Sequence, residues 1–230
     1  MYYDPQYLLM MLPVLLISLY AQWKVNSSFK KYSKVRNQRY LTGAQAAEAV
    51  LRANGVQNVR IERVRGNLTD HYDPKTNVIR LSDSVYDSPT ISAVGVAAHE
   101  AGHAVQYAVG YAPIHLRAAM VGITNFGSQF GIILLMIGLL LSAASLFYIG
   151  IILFSLTAVF QLVTLPVEFN ASRRAMVAIE DTGLLSDMEA RGARKVLSAA
   201  ALTYVAALLT SVMQLLYYIS RFNGGRRDRR

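Results

Sequence analysis

The chain has 230 residues, 53% of them hydrophobic and only 16% charged, with a formal net charge of +9 and no cysteine. That apolar content excludes a disordered chain, and the missing cysteines exclude a disulfide scaffold, a thiolate zinc site, an iron–sulfur cluster and a thiol nucleophile. The positive balance points to nucleic acid or to an anionic membrane surface. The apolar residues decide for the membrane, because they are clustered into long runs.

The first run, Tyr7 to Trp23, is uncharged and has the length of a short bilayer crossing. Lys24, Lys30, Lys31, Lys34, Arg36 and Arg39 follow it, whereas only Asp4 precedes it. A cleavable signal peptide has a positive start and a small-residue cleavage site. Residues 1–23 therefore read as a signal-anchor helix, with the N-terminus outside and the next segment cytoplasmic.

Residues 24–120 form the main polar segment and read as a small α+β domain. Thr42 and Gln45 make a capping box, in which each side chain satisfies a free N–H of the first turn. The helix they open, Ala44 to Asn54, stops at Gly55, which can take the left-handed cap. Val59 to Val64 alternates with period two and reads as a strand. Leu68 to Asp73 and Asn77 to Ser82 flank Pro74, Lys75 and Thr76, a turn sequence, and read as a hairpin. Ser88 as N-cap and Pro89 at the first helical position start another helix, running to about Gly110.

Nothing between Arg117 and Glu168 is charged, and Phe130 to Leu165 is too long for one crossing. Residues 121–165 read as a transmembrane hairpin with its tip at Ser142, Ala143, Ala144 and Ser145. A buried helix pair in a soluble protein is the alternative, and so long an uncharged stretch speaks against it. Residues 166–195 connect to the last run and hold a second capping box, Ser186 with Glu189. The last run, Val196 to Ile219 within residues 196–220, carries Thr203, Tyr204, Thr210, Ser211 and Gln214. Polar groups in lipid need partners, so one face of it should pack on protein. The tail, residues 221–230, ends in four arginines around Asp228, which are expected to be disordered and able to touch anionic headgroups. Four spans put this basic tail outside with the N-terminus, against the positive-inside rule. The stronger charge signal, after the first run, is taken to set the orientation.

The chemistry lies in His99, Glu100, Ala101, Gly102 and His103, an HExxH pattern. On a helix the two histidines are separated by one turn plus about 40°, so both imidazoles share a face and can bind one Zn²⁺. Glu100 projects beside that face, where it can take a proton from a metal-activated water. Small Ala101 and Gly102 let another helix approach. Two unrelated histidines on an exposed helix would give the same letters. However, the chain has only 4 histidines, and two of them fall at this spacing around a Glu.

A catalytic zinc needs a third protein ligand and an open position. A third His six residues after the second is absent, because that position is Val109. Glu168, Glu180, His71 and His115 are the candidates. Glu168 is the best of them, because a hairpin over Phe130–Leu165 returns it to the membrane face of His103. The opposing reading of Glu168 is an interfacial carboxylate paired with Arg173 or Arg174. Those two arginines suit a lipid headgroup better than a substrate carboxylate.

Four stretches together resemble the YugP-type family of membrane-bound neutral zinc metallopeptidases. They are Lys30–Ser33, Leu68–Pro74, Ala97–Gln106 and Pro166–Ser172, and the likeness covers nearly the whole chain. The layout is also similar to the HtpX and CAAX-processing gluzincins, with HExxH, a membrane hairpin and then a Glu ligand. The resemblance implies a mainly α integral membrane protein of about four transmembrane helices with a small α+β zincin-like catalytic domain. It implies one Zn²⁺ per chain, held by His99, His103 and Glu168, with Glu100 as general base. The gluzincin pattern places an Asp four residues after the Glu ligand, to orient a ligand His. Here that position is Ser172, a weaker orienter.

The implied reaction is metal-assisted hydrolysis of peptide bonds in membrane-associated proteins or peptides at the cytoplasmic surface. His71, Tyr72 or Tyr204 can donate to the tetrahedral oxyanion, although each also suits a structural role. The strand Asn77, Val78, Ile79, Arg80, Leu81 and Ser82 is expected to be an edge to which an extended substrate adds. Basic residues adjoin spans without interleaved aromatics, so nucleic-acid binding is not expected. The rival readings are a non-proteolytic membrane adaptor with a structural or vestigial zinc site, closed by a fourth protein ligand, and a transporter component. The latter would need ionisable groups inside the spans.

Overall fold

The computed structural model describes residues 5–227, so Asp4 and the tail end Asp228–Arg230 lie outside the described residues. In chain order the elements are α1 (Pro5–Tyr32), α2 (Gly43–Ala53), β1 (Arg60–Val64), β2 (His71–Asp73), β3 (Val78–Ser82), α3 (Ile91–Ala108), α4 (Ala112–Leu140), α5 (Ala144–Asp181) and α6 (Asp187–Arg227). Of these, α1, α4, α5 and α6 are each long and apolar enough to cross a membrane. The residues fall into two compact units. One joins the chain up to Ala21 with Leu116–Leu165 and the chain from Thr203, and the other joins Gln22–His115 with Pro166–Leu202.

In the first unit, α4 and α5 form an antiparallel hairpin turned at residues 141–143. Ser142 takes the left-handed conformation there (φ 53°), and the N–H of Ala143 reaches back to the carbonyl of Gly138 at 2.9 Å. This closes the helix as a glycine cap would. The two helices approach through glycines. A Cβ on Gly138 would stand 2.4 Å from the Phe147 nitrogen, and one on Gly150 2.4 Å from the Leu135 nitrogen. Lipid tails are as apolar as leucine, so such close backbone packing, more than hydrophobic burial, holds membrane helices together. The start of α1 meets the end of α6, with Gln6 donating to Ser220 at 2.5 Å and Tyr7 edge-on to Tyr217. The start of α1 and the end of α6 therefore lie side by side in this unit. Phe222 stacks on Phe147 at 3.9 Å and is buried, which anchors α6 beyond the predicted span. The hydroxyls of Thr210 and Ser211 donate to carbonyls one turn back in their own helix.

The second unit is built on α3. Apart from its histidines and Glu100 this helix has no charged residue, and it is buried on nearly every side. Its core is rich in alanine: Ala46 and Ala47 of α2, Ala97, Ala98 and Ala101 of α3, Ala175 and Ala178 of α5 and Ala193 of α6, with Ile79, Leu81 and Ile179 filling the larger gaps. Thr42 and Gln45 cap α2 reciprocally, as the sequence predicts, a motif whose N-cap is worth about 1 kcal/mol. The second box is only half formed. Glu189 accepts from the N–H and hydroxyl of Ser186, and its other oxygen accepts from the Gln38 N–H at 2.7 Å.

Three expectations are corrected here. The strand Val78–Ser82 is not an edge, because the sheet order is β1-β3-β2, with β1 parallel and β2 antiparallel to β3. Val78, Ile79, Leu81 and Ser82 are all buried, and the most apolar strand takes the centre while charged β1 and β2 face outward. Asn77 precedes β3 as a left-handed turn residue (φ 55°). The α3 helix starts after Thr90, not Ser88. Arg36 bridges Thr90, and Val35 accepts the Ile91 N–H, so the Ser88–Pro89 segment is held extended. Finally, helices overrun the apolar runs: α1 reaches Tyr32, α6 reaches Arg227, and α5 continues past Leu165 with Pro166 inside it.

The glycine contacts of the hairpin yield a stability test. Gly150→Ala should lower the thermal unfolding midpoint in detergent, consistent with an overpacking cost of about 1–3 kcal/mol. Gly122→Ala, at a position with open space around its Cβ, should leave the midpoint unchanged or raise it through helix propensity. Equal effects of the two variants would contradict the packing account.

Candidate metal centre

The α3 helix presents His99 and His103 on one face, and α5 brings Glu168 to them. The carboxylate oxygen Oε2 of Glu168 lies 3.2 Å from Nε2 of His99 and 3.5 Å from Nε2 of His103. One donor atom from each of the three side chains falls within 4.8 Å of the others, and His103 and Glu168 are buried. The imidazole rings stand edge to face, 4.7 Å apart. Each ring is also held at its other nitrogen: Nδ1 of His99 by Ser172 Oγ at 3.0 Å, and Nδ1 of His103 by Gln106 Oε1 at 3.0 Å.

Gly102 makes this convergence possible. A Cβ there would stand 2.6 Å from the backbone oxygen of Ala171. The α5 backbone thus lies directly on α3, between Glu168 and Ser172.

Burial alone would raise the Glu168 carboxyl. Hydrogen bonds from His103 and His99 and the charges of those rings overcome it and hold the group well below the usual carboxylate range. His103 shows the converse balance. Burial opposes its protonation, but Glu168, the Glu100 charge and Gln106 together raise it above its ordinary value. A buried anion with two imidazoles turned toward it is a place built for positive charge. Two histidines and a carboxylate are also a donor set that suits zinc, so the residues fit the metal the motif implies. Among the described residues, no fourth His, Asp or Glu joins the cluster.

Other predicted residues lie elsewhere. Glu180 pairs with Arg194 at 2.6 Å on the surface. His115 packs edge-on to Tyr107. Exposed His71 holds its Nδ1 against the Thr69 carbonyl at 2.8 Å. Tyr72 donates its hydroxyl to Asn77 Oδ1 at 2.7 Å, so that group serves the hairpin turn. Arg80 pairs with Asp73, whose carboxyl falls below its ordinary range through Thr76 and then Arg80. Tyr204 belongs to the other unit. Arg174 donates to Asn170 at 2.8 Å.

Sequence reasoning assigned no role to Gln106, Asn170 or Asp70. Asp70 accepts from the N–H and hydroxyl of Ser82 and lies within electrostatic reach of Glu100. Burial pushes its carboxyl up, Glu100 adds to that, and the Ser82 hydrogen bonds oppose it. The available signal for Gln106 was its position one helical turn after His103.

A family model described as "Putative neutral zinc metallopeptidase" matches residues 7–223. The chain belongs to this family. It is also 49% identical over 210 residues to the "Putative membrane protease YugP" of Bacillus subtilis (strain 168), covering 91% of this chain and 93% of that protein. No solved structure matches the chain.

Two substitutions test the ligand set of this zinc metallopeptidase family member. Glu168→Ala should abolish zinc retention through purification, whereas Glu180→Ala should keep it, as read by metal analysis. Loss in Glu180→Ala alone would refute the assignment. Gly102→Ala should weaken zinc binding although it touches no ligand, because its methyl must displace the Ala171 backbone. Unchanged affinity in chelator competition would show that the close approach is dispensable.

Proposed function

We propose that this protein is an integral-membrane zinc metalloendopeptidase whose catalytic centre is His99, His103, Glu168 and Glu100. Its substrates, in this reading, are membrane-associated proteins or peptides. The observation that carries the proposal is the convergence of a buried carboxylate from α5 on both histidines of an HExxH helix. Membership of the zinc metallopeptidase family supports it. The basic residues from Lys24 to Arg39, directly after the first apolar run, favour a cytoplasmic site.

Zinc, when bound by His99, His103 and Glu168, supplies Lewis acidity toward the scissile carbonyl and the attacking water. Ser172 and Gln106 hold the two imidazoles so that their Nε2 atoms face Glu168. Glu100, buried on the same helix, takes the proton of the attacking water as its oxygen bonds to the carbonyl carbon. The same carboxyl then delivers that proton to the leaving nitrogen as the C–N bond breaks. Because β3 is central, an extended substrate must use a sheet edge. The edge strand beside α3 is β2, where Tyr72 packs on Tyr107 with ring centroids 5.6 Å apart.

A non-proteolytic adaptor would close its metal site with a fourth protein ligand. The three-membered cluster among the described residues speaks for an open, catalytic one. Glu100→Gln should retain zinc and lose about 10²–10⁴-fold in cleavage rate, the usual worth of a general base. The assay uses purified full-length protein in detergent with a peptide library. A zinc-free wild type, or a Glu100→Gln variant as active as wild type, would sink the proposal.

A further inference from the structure

We propose that Gln106 is a positioning residue of the metal centre. It fixes the proton of His103 on Nδ1 and ties that ring to the α5 backbone one residue before Glu168. The inference rests on the metallopeptidase reading and adds to it a residue outside the HExxH pattern.

Gln106 is fully buried, which is costly for a primary amide unless its groups are paired. Its Nε2 donates to the Val167 carbonyl at 2.8 Å and to Asn170 Oδ1 at 3.0 Å, and its Oε1 lies 3.0 Å from His103 Nδ1. The orientation of the amide follows from its partners. The Val167 carbonyl can only accept, so the nitrogen must face it. Asn170 Oδ1 also accepts from Arg174 Nε at 2.8 Å, and a guanidinium can only donate. The chain is thus fixed at both ends by groups with one hydrogen-bonding sense. What remains toward His103 is an amide oxygen, which can only accept. Nδ1 of His103 must therefore carry a proton, and Nε2 is the nitrogen left to bind a divalent cation.

The second consequence is mechanical. His103 and Glu168 lie on helices far apart in sequence. Gln106, on the helix of His103, grips α5 at Val167 and Asn170, on either side of Glu168 in the chain. One side chain thereby sets both the tautomer of one ligand and the place of the segment that carries another.

The test uses full-length protein in detergent labelled with ¹⁵N-histidine, where the chain's 4 histidines keep the spectrum sparse. The His103 signals are assigned by their loss in His103→Ala. In zinc-loaded wild type, His103 should carry its proton on Nδ1 and bind through Nε2, and the reverse tautomer would overturn the proposal without any variant at Gln106. Gln106→Met, of similar length and without the amide, should weaken zinc about 10–100-fold in chelator competition, the range for lost outer partners of a metal ligand. Asn170→Ala should weaken it less and in the same direction. Wild-type affinity in Gln106→Met, with His103→Ala still losing zinc, would refute this inference and leave the metallopeptidase reading standing. If wild type binds no zinc, the two fall together.

Discussion

The centre depends on how near two helix backbones can come. Helix axes usually pack about 8–10 Å apart, at a distance set by the side chains between them. At Gly102 there is no side chain, and the Ala171 carbonyl occupies the space where a Cβ would be. That approach puts Glu168 within 3.2 Å of His99 and 3.5 Å of His103. The alanine-rich core extends the same logic: Ala97, Ala98 and Ala101 on α3 face a unit in which Ala175, Ala178 and Ala193 are also buried. Small residues lose hydrophobic area, and here they gain a geometry in which short side chains from separate helices can share one ion.

Electrostatics favours the same arrangement. A carboxylate taken out of water is costly, and without partners Glu168 would become neutral. The two imidazoles prevent this, through hydrogen bonds to the carboxylate first and through electrostatic attraction second. Metal ligation requires the carboxylate ionised and the ligand nitrogens free of protons, so a cation and the imidazole protons compete for the same place. The fold holds the buried anion with its imidazole partners already in place.

The histidine pair was legible because it needs only the helical period, and Glu168 because a membrane hairpin leaves few ways to return to the same face. Ser172 was legible through the family pattern. Gln106 and Asn170 were not, since their meaning depends on which residues meet where α3 crosses α5. The hairpin Leu68–Ser82 could be read from its turn residues, but those say nothing about the side on which β1 adds, and the central place of β3 was missed. Helix ends were misjudged for a related reason. Apolar runs report where a chain can meet lipid, whereas backbone hydrogen bonds continue regardless of solvent, so α1 and α5 pass through the ends of their runs. At Ser88–Pro89 a sound local start signal lost to a tertiary one, the pairing of Arg36 with Thr90.

The identity of the two orienting groups has a consequence of its own. A carboxylate on the outer nitrogen of a ligand histidine fixes the ring and also adds negative charge. Here Ser172 and Gln106 fix the rings with a neutral hydroxyl and a neutral amide. Glu168 is then the only anion in the proposed ligand set, and Glu100 and Asp70 are the nearby carboxyls whose charge the site must accommodate. Each further anion would offset part of the positive charge that a bound divalent ion directs at a carbonyl. Neutral orienters avoid that loss. In return they give weaker hydrogen bonds than a carboxylate would, and the fold compensates by anchoring Gln106 at two further points on α5. Ser172 needs no such chain, because it stands on the same helix as Glu168, one turn further along.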